Sequence, residues 1–142
     1  MHAANVTVTH THAGLEEALA DLGAWRRRIA AEGTGWKLVL RAGAIPAARD
    51  EGRTGIILGW QNTLPLGGNP ARAWAFAAAG LRVAQLTHNE TNLSGDGCAE
   101  TRNGGLSDFG REVVAELNGT GIAGPGKRWV ISTGRCNTCC KA

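Results

Sequence analysis

The chain has 142 residues, 43% of them hydrophobic and 19% charged, with a formal net charge of +3. That length allows at most one domain, the composition excludes a disordered chain, and the charge is spread along the sequence. The one basic cluster, Arg26-Arg27-Arg28, falls inside a helical pattern and reads as a solvated helix face, which argues against a nucleic-acid surface.

From Asn5 to Thr9, Val alternates with polar residues, the period of a half-buried strand. Leu15, Ala18, Leu19, Leu22, Trp25 and Ile29 then recur at three- and four-residue steps, predicting a helix over 15–31 that Gly33 and Gly35 stop. Trp36 to Leu40 reads as a short strand, and 44–51 as a brief helix with Pro46 tolerated near its first turn. Gly55-Ile56-Ile57-Leu58-Gly59 is a continuous apolar run, as in parallel strands covered on both faces. An alanine-rich helix follows over 71–79, closed by Gly80, and Leu81 to Leu86 reads as a further strand. Ser107 is the expected N-cap of a last helix, which buries Val113, Val114 and Leu117 and ends at Gly119 and Gly121.

Strands alternating with helices call for an α/β fold with a parallel sheet and right-handed crossovers, either a doubly wound sheet or a piece of a (β/α)8 barrel. A whole barrel needs roughly 250 residues. Barrel material of this length would be about half of one, with two open sheet edges and an uncovered apolar face.

The longest apolar run, Trp74 to Leu81, is interrupted by Gly80 and is too short to span a bilayer. Met1-His2-Ala3-Ala4-Asn5 has neither the charged nor the apolar region of a signal peptide, so the expectation is a cytoplasmic chain without membrane or nucleic-acid partners. The Asn-x-Ser/Thr triplets at Asn5, Asn89, Asn92 and Asn118 are read as chance. Cys98 stands apart from Cys136, Cys139 and Cys140, a spacing that makes neither a disulfide framework nor a paired zinc motif.

Chemistry in parallel α/β proteins gathers at the carboxyl ends of strands. The loop after the strand at 81–86 is Thr87-His88-Asn89-Glu90-Thr91-Asn92, which makes His88 a candidate functional residue in the polar company of Asn89 and Asn92.

The run Gly55-Ile56-Ile57-Leu58-Gly59-Trp60-Gln61-Asn62 is followed by Leu81-Arg82-Val83-Ala84-Gln85-Leu86-Thr87-His88-Asn89. Next comes Gly105-Leu106-Ser107-Asp108-Phe109-Gly110-Arg111-Glu112-Val113-Val114-Ala115-Glu116-Leu117-Asn118. In order and spacing these segments resemble the membrane (renal) dipeptidase family of zinc metallopeptidases, and residues from about Asn5 to Ile122 share the resemblance. It implies roughly the first half of a (β/α)8 barrel. It also implies hydrolysis of dipeptides, in some relatives of β-lactams, by two zinc ions bridged by a carboxylate and a water. Paired metals about 3.5 to 4 Å apart polarise the scissile carbonyl and supply hydroxide at neutral pH. A homodimer is a further implication.

Carried over residue by residue, the resemblance places His88 on the substrate side, where a donor imidazole stabilises the developing oxyanion. Asn89 and Asn92 are supporting substrate-binding candidates. The family's bridging Glu falls at Gln61, and a neutral amide cannot give two anionic oxygens to two cations. The expectation is that zinc is not retained, or only one ion is. The family's first metal-binding His-x-Asp is expected upstream of Asn5. His10-Thr11-His12 has the spacing of an imidazole pair but aligns with a family segment that does not bind metal.

After Ile122 the family continues to an Asp-Leu-Ser-His metal motif, whereas this chain reads Ala123-Gly124-Pro125-Gly126 and on to Ala142. The expected organisation is therefore a partial dipeptidase-like barrel over 5–122 and a tail over 123–142 without family resemblance, read as out of frame or truncated. The leading functional reading is a fragment of a zinc dipeptidase that is inactive alone. The alternative is a small binding or interaction module whose open edges pair with a second copy or with the other half of the enzyme. A third is a single-zinc protein using His10, His12 and the terminal cysteines.

Overall fold

A computed structural model describes residues 2–102 and 104–123. Its elements alternate as the periodicities require. Strand β1 is Ala3–Thr7, helix α1 Leu15–Ala30, β2 Trp36–Leu38, α2 Ala44–Asp50, β3 Thr54–Trp60, α3 Arg72–Ala79, β4 Leu81–Ala84 and α4 Asp108–Thr120. A 3-10 turn at Leu64–Leu66, with Pro65 as its second residue, joins β3 to α3 and has no period that the sequence could reveal.

The apolar strand Thr54–Trp60 is the centre of the sheet. β1 lies along one side of it, from Ala3 opposite Gly55 to Thr7 opposite Gly59. The other side is shared: β2 pairs with Thr54–Ile56 and β4 with Leu58–Trp60, every pair being parallel. After α4 the chain returns to the sheet, where Ala123 makes a parallel bridge to Val83 on the far side of β4. The order β1, β3, β4 and then the strand position opened at Ala123 is that of a (β/α) barrel followed part-way round.

Ile56, Leu58 and Trp60 alternate onto the face covered by helices, where they form one core with Ala18, Leu22 and Ile29 of α1, Phe76 of α3 and Val113 and Leu117 of α4. Trp60 meets Phe76 edge-to-face at 4.5 Å between ring centres. Each large side chain buried in this way stabilises the fold by about 1.5–3 kcal/mol. The Trp74 indole N–H donates to Glu116 at 2.6 Å, tying α3 to α4 at the surface.

The opposite face differs from the uncovered apolar surface expected of half a barrel. Asn5, Thr7, Gln61 and Gln85 are exposed on it, beside Gly55, Gly59 and the partly buried Ile57 and Val83. Small and polar residues occupy the inward-facing positions, so leaving them open exposes little apolar area.

Strand limits move by one or two residues. β1 begins at Ala3 because Gly55 supplies its first partner, and Val8 still donates to the Gly59 carbonyl at 2.8 Å beyond the strand's end. β4 ends at Ala84, beyond a register shift between Leu58 and Gly59 near its start, although Gln85 N–H still reaches the Trp60 carbonyl at 3.0 Å. Ser107 caps α4 as expected, accepting the Gly110 N–H at 2.9 Å, and Gly121 closes that helix in the left-handed conformation. Among the described residues no helix is long and apolar enough to cross a membrane. The tail expected to differ from the family and Cys136, Cys139 and Cys140 lie, apart from Ala123, outside the described residues.

Candidate functional site

Three strand ends open on the same side of the sheet. At the end of β1, Thr9 is 8% exposed, and its buried hydroxyl has no hydrogen-bond partner among the described residues. His10 and His12 follow on the surface. The His10 ring lies 2.9 Å from Glu17 of α1 through Nε2 and accepts the His12 N–H at 3.2 Å through Nδ1, while the two ring centres stand 6.5 Å apart. Both nitrogens of His10 are therefore occupied locally.

At the end of β3, Gln61 is exposed while Asn62 and Thr63 turn inward and are buried. At the end of β4, Leu86 is buried, and Thr87 and His88 are half-buried. The two ends are joined directly: the Leu86 carbonyl accepts the Thr63 N–H at 3.2 Å and the Thr63 hydroxyl at 2.8 Å.

Asn92 completes this junction. Its Nδ2 donates to the Leu86 carbonyl at 2.7 Å and to Asn62 Oδ1 at 2.6 Å, while its Oδ1 accepts the Ser94 N–H at 2.7 Å. The fully buried Ser94 hydroxyl lies 2.7 Å from that of Thr63. A buried polar network in which every member has a partner rigidifies what it joins.

The rest of the loop between β4 and α4 is folded on itself. The His88 and Asn89 carbonyls accept the Cys98 and Ala99 N–H groups at 2.9 and 3.0 Å. Asp96 accepts the Thr91 hydroxyl at 2.8 Å and the Gly104 N–H. Those contacts, the Gly104 N–H first and the Thr91 hydroxyl second, hold its carboxyl below the usual Asp range, and the charge of Arg102 adds to them against partial desolvation. Glycine is required where the loop backs onto itself: a Cβ at Gly97 would sit 2.3 Å from the Asn89 carbonyl group, and one at Gly110 would sit 2.0 Å from the Ser94 oxygen.

His88 and Asn92 thus share one loop, and the loop is fixed to the end of the strand that carries Gln61. The His88 ring makes no hydrogen bond with the described residues, whereas the Asn92 carboxamide is fully engaged in holding the loop. Asn89 is exposed, and its Oδ1 lies 3.6 Å from Cys98 Sγ. Sequence reasoning did not single out Asn62, Thr63, Ser94 or Asp96. The available signal was the density of Asn, Thr and Ser just beyond two predicted strands.

Two zinc ions need several imidazoles and carboxylates converging on one point. Among the described residues no three His, Cys, Asp or Glu side chains come together in that way, and Gln61 offers a neutral, exposed amide. The described residues do not fit a complete two-metal centre.

A profile of the family described as membrane dipeptidase (peptidase family M19) matches residues 3–123. Among curated proteins, the chain is 37% identical over 73 residues to Dipeptidase aclJ of Aspergillus oryzae, a match spanning 50% of this chain and 17% of that protein. Among solved structures, an amidohydrolase from Pseudomonas aeruginosa superposes with a TM-score of 0.81 at 34% identity, covering 87% of this chain and 38% of the other. A metallo peptidase from Rhodobacter sphaeroides, liganded with a phosphinate mimic of the dipeptide L-Ala-D-Ala, shares the fold with a TM-score of 0.69 at 22% identity over 78% of this chain and 33% of its own. The chain therefore spans well under half the length of these relatives.

Proposed function

The chain belongs to the membrane dipeptidase family of metallopeptidases, and from that premise we propose that it forms the substrate-side part of a zinc-dependent dipeptidase active site and is inactive alone. The observation that carries this reading is the placement of His88: a half-buried imidazole with no hydrogen bond to the described residues, at a strand's carboxyl end, on a loop locked in place by Asn92. A donor held there without reorganisation stabilises oxyanion charge in the transition state more than it stabilises bound substrate. Asn89, exposed beside it, is a second substrate contact in this proposal.

The relatives supply the substrate class by analogy, since one is a dipeptidase and another holds a dipeptide mimic. Zinc supplies the Lewis acid and the activated water when bound. With an amide at Gln61, this chain retains at most one ion.

The test is a chimera in which residues 3–123 replace the matching segment of the P. aeruginosa amidohydrolase, assayed with zinc on a panel of dipeptides. Hydrolysis is expected, with His88→Ala lowering kcat about 100-fold and leaving KM within a few-fold. An unchanged kcat in the His88→Ala chimera removes His88 from the reaction. The chain alone is expected to hydrolyse no faster than zinc in buffer and to carry no more than one zinc by elemental analysis. Two ions per chain would sink the reading of Gln61.

A further inference from the structure

Asn62 has a hydrogen-bond donor left over after the fold has used the rest of its carboxamide. The residue is 7% exposed, and its carboxamide oxygen accepts twice, from Asn92 Nδ2 at 2.6 Å and from the Leu64 N–H at 3.1 Å. Two donors on that oxygen fix which way the carboxamide lies, because the flipped amide would set its NH2 against two other N–H groups. The group left over is Nδ2, which donates to none of the described residues. Nδ2 is not among the enclosed side-chain atoms of the described residues that lack a partner, so it reaches solvent and is open to an acceptor on a ligand.

Its position gives that spare donor a use. Asn62 is one residue beyond Gln61 at the carboxyl end of β3, and its neighbour Thr63 is bonded through backbone and hydroxyl to Leu86, two residues before His88. Asn92 holds both Asn62 and Leu86, so a single side chain sets the Asn62 amide and the turn bearing His88 in fixed relation.

We infer that Asn62 is a ligand-contacting residue whose Nδ2 donates to an acceptor oxygen of a small peptide. This rests on the reading of the strand ends as a substrate face. The acceptor is either the terminal carboxylate or the peptide carbonyl, and the two are separable by probe. Asn62→Asp is the informative substitution. One carboxylate oxygen still accepts from Asn92 and Leu64, so the loop junction survives, while the spare donor becomes an acceptor that repels the ligand oxygen.

The experiment is a titration of the 15N-labelled full chain with alanyl-alanine and, separately, with alanyl-alaninamide, followed by NMR of the Asn62 side-chain NH2 and the His88 ring. The Asn62 NH2 signals are expected to shift on binding. Asn62→Asp is expected to weaken binding at least tenfold without lowering the thermal midpoint. Equal weakening with both probes assigns the contact to the carbonyl, and a loss confined to alanyl-alanine assigns it to the carboxylate. If His88 responds while Asn62 does not, or if Asn62→Asp binds as tightly as the parent, the inference is overturned and the dipeptidase reading stands. If the chain binds neither probe, the inference is also overturned. The His88 result in the chimera then decides the dipeptidase reading independently.

Discussion

Two loops at the carboxyl ends of β1 and β4, the strands that flank β3, each carry histidine, and they are built in opposite ways. The loop after β1 presents His10 and His12 on the surface, steadied by the exposed contact from His10 to Glu17 and by short-range bonds from the His12 and Ala13 N–H groups to His10. The loop after β4 presents His88 from a segment pinned by Asn92, Thr63 and Ser94, folded onto Gly97 and pressed against Gly110. A histidine motif reveals nothing about this contrast. What separates the two is how much of the surrounding backbone is held in one arrangement, and preorganisation of that kind is what transition-state stabilisation demands.

If the contrast is real, damage to the braced loop should cost most where its backbone has least room. Gly110→Ala places a methyl 2.0 Å from the Ser94 oxygen, inside a helix that cannot retreat without opening the loop. Overpacking this severe is expected to cost about 3 kcal/mol, read as a lowered urea midpoint. Asn92→Ala comes next. It strips partners from Asn62 Oδ1, the Leu86 carbonyl and the Ser94 N–H, and should cost about 2 kcal/mol. If both variants unfold at the parent's midpoint, the loop is not braced and the comparison fails.

The fold was legible in the sequence because its signals are local. The three- and four-residue spacing of α1, the apolar run of β3 and the Ser107 cap of α4 each lie within one element. The braced loop was not legible, because its bonds join distant positions: Asn92 to Asn62 across 30 residues and Thr63 to Ser94 across 31. Strand-end position alone brought His88 into view. For Asn92 the same clue suggested substrate contact, whereas its carboxamide is spent on the backbone of Leu86 and Ser94 and on Asn62. The polar inward face was equally hidden, since the parity of Asn5, Gln61 and Gln85 acquires meaning only once β1, β3 and β4 are in register.

A smaller effect sharpens the comparison through pH. The Gly104 and Thr91 contacts lower the Asp96 pKa below its ordinary 3.8, so the folded state binds this proton less readily than the unfolded chain. The resulting stability is present above the unfolded pKa and is lost as pH falls through the folded one. Relative to Asp96→Asn, the parent should therefore be more stable at pH 6, with that advantage shrinking as pH falls below 3.8 and through the lowered folded-state value. A gap that stays constant as pH falls from 6 until the carboxyl is protonated would show that the carboxylate charge does not hold the loop. Thr9→Val, in the other loop's root, should act in the opposite direction. The buried hydroxyl has no partner among the described residues, and replacing it by a methyl of similar size removes an unpaired polar group, leaving stability unchanged or raising it by about 1 kcal/mol.

The smallest effect is expected where histidine is most conspicuous in the sequence. His10→Ala with His12→Ala removes one contact to Glu17 between side chains that are 57% and 53% exposed, a geometry in which solvent screening leaves little net attraction. The double variant should change the urea midpoint by the equivalent of less than about 0.5 kcal/mol. No three ligating side chains converge among the described residues, so its zinc content should equal the parent's. Loss of bound zinc in this variant would transfer metal binding to the β1 loop and reverse the ranking of the two strand ends. Retention would leave the His10-Thr11-His12 spacing as a surface coincidence, and the His88 loop as the more tightly braced of the two strand ends.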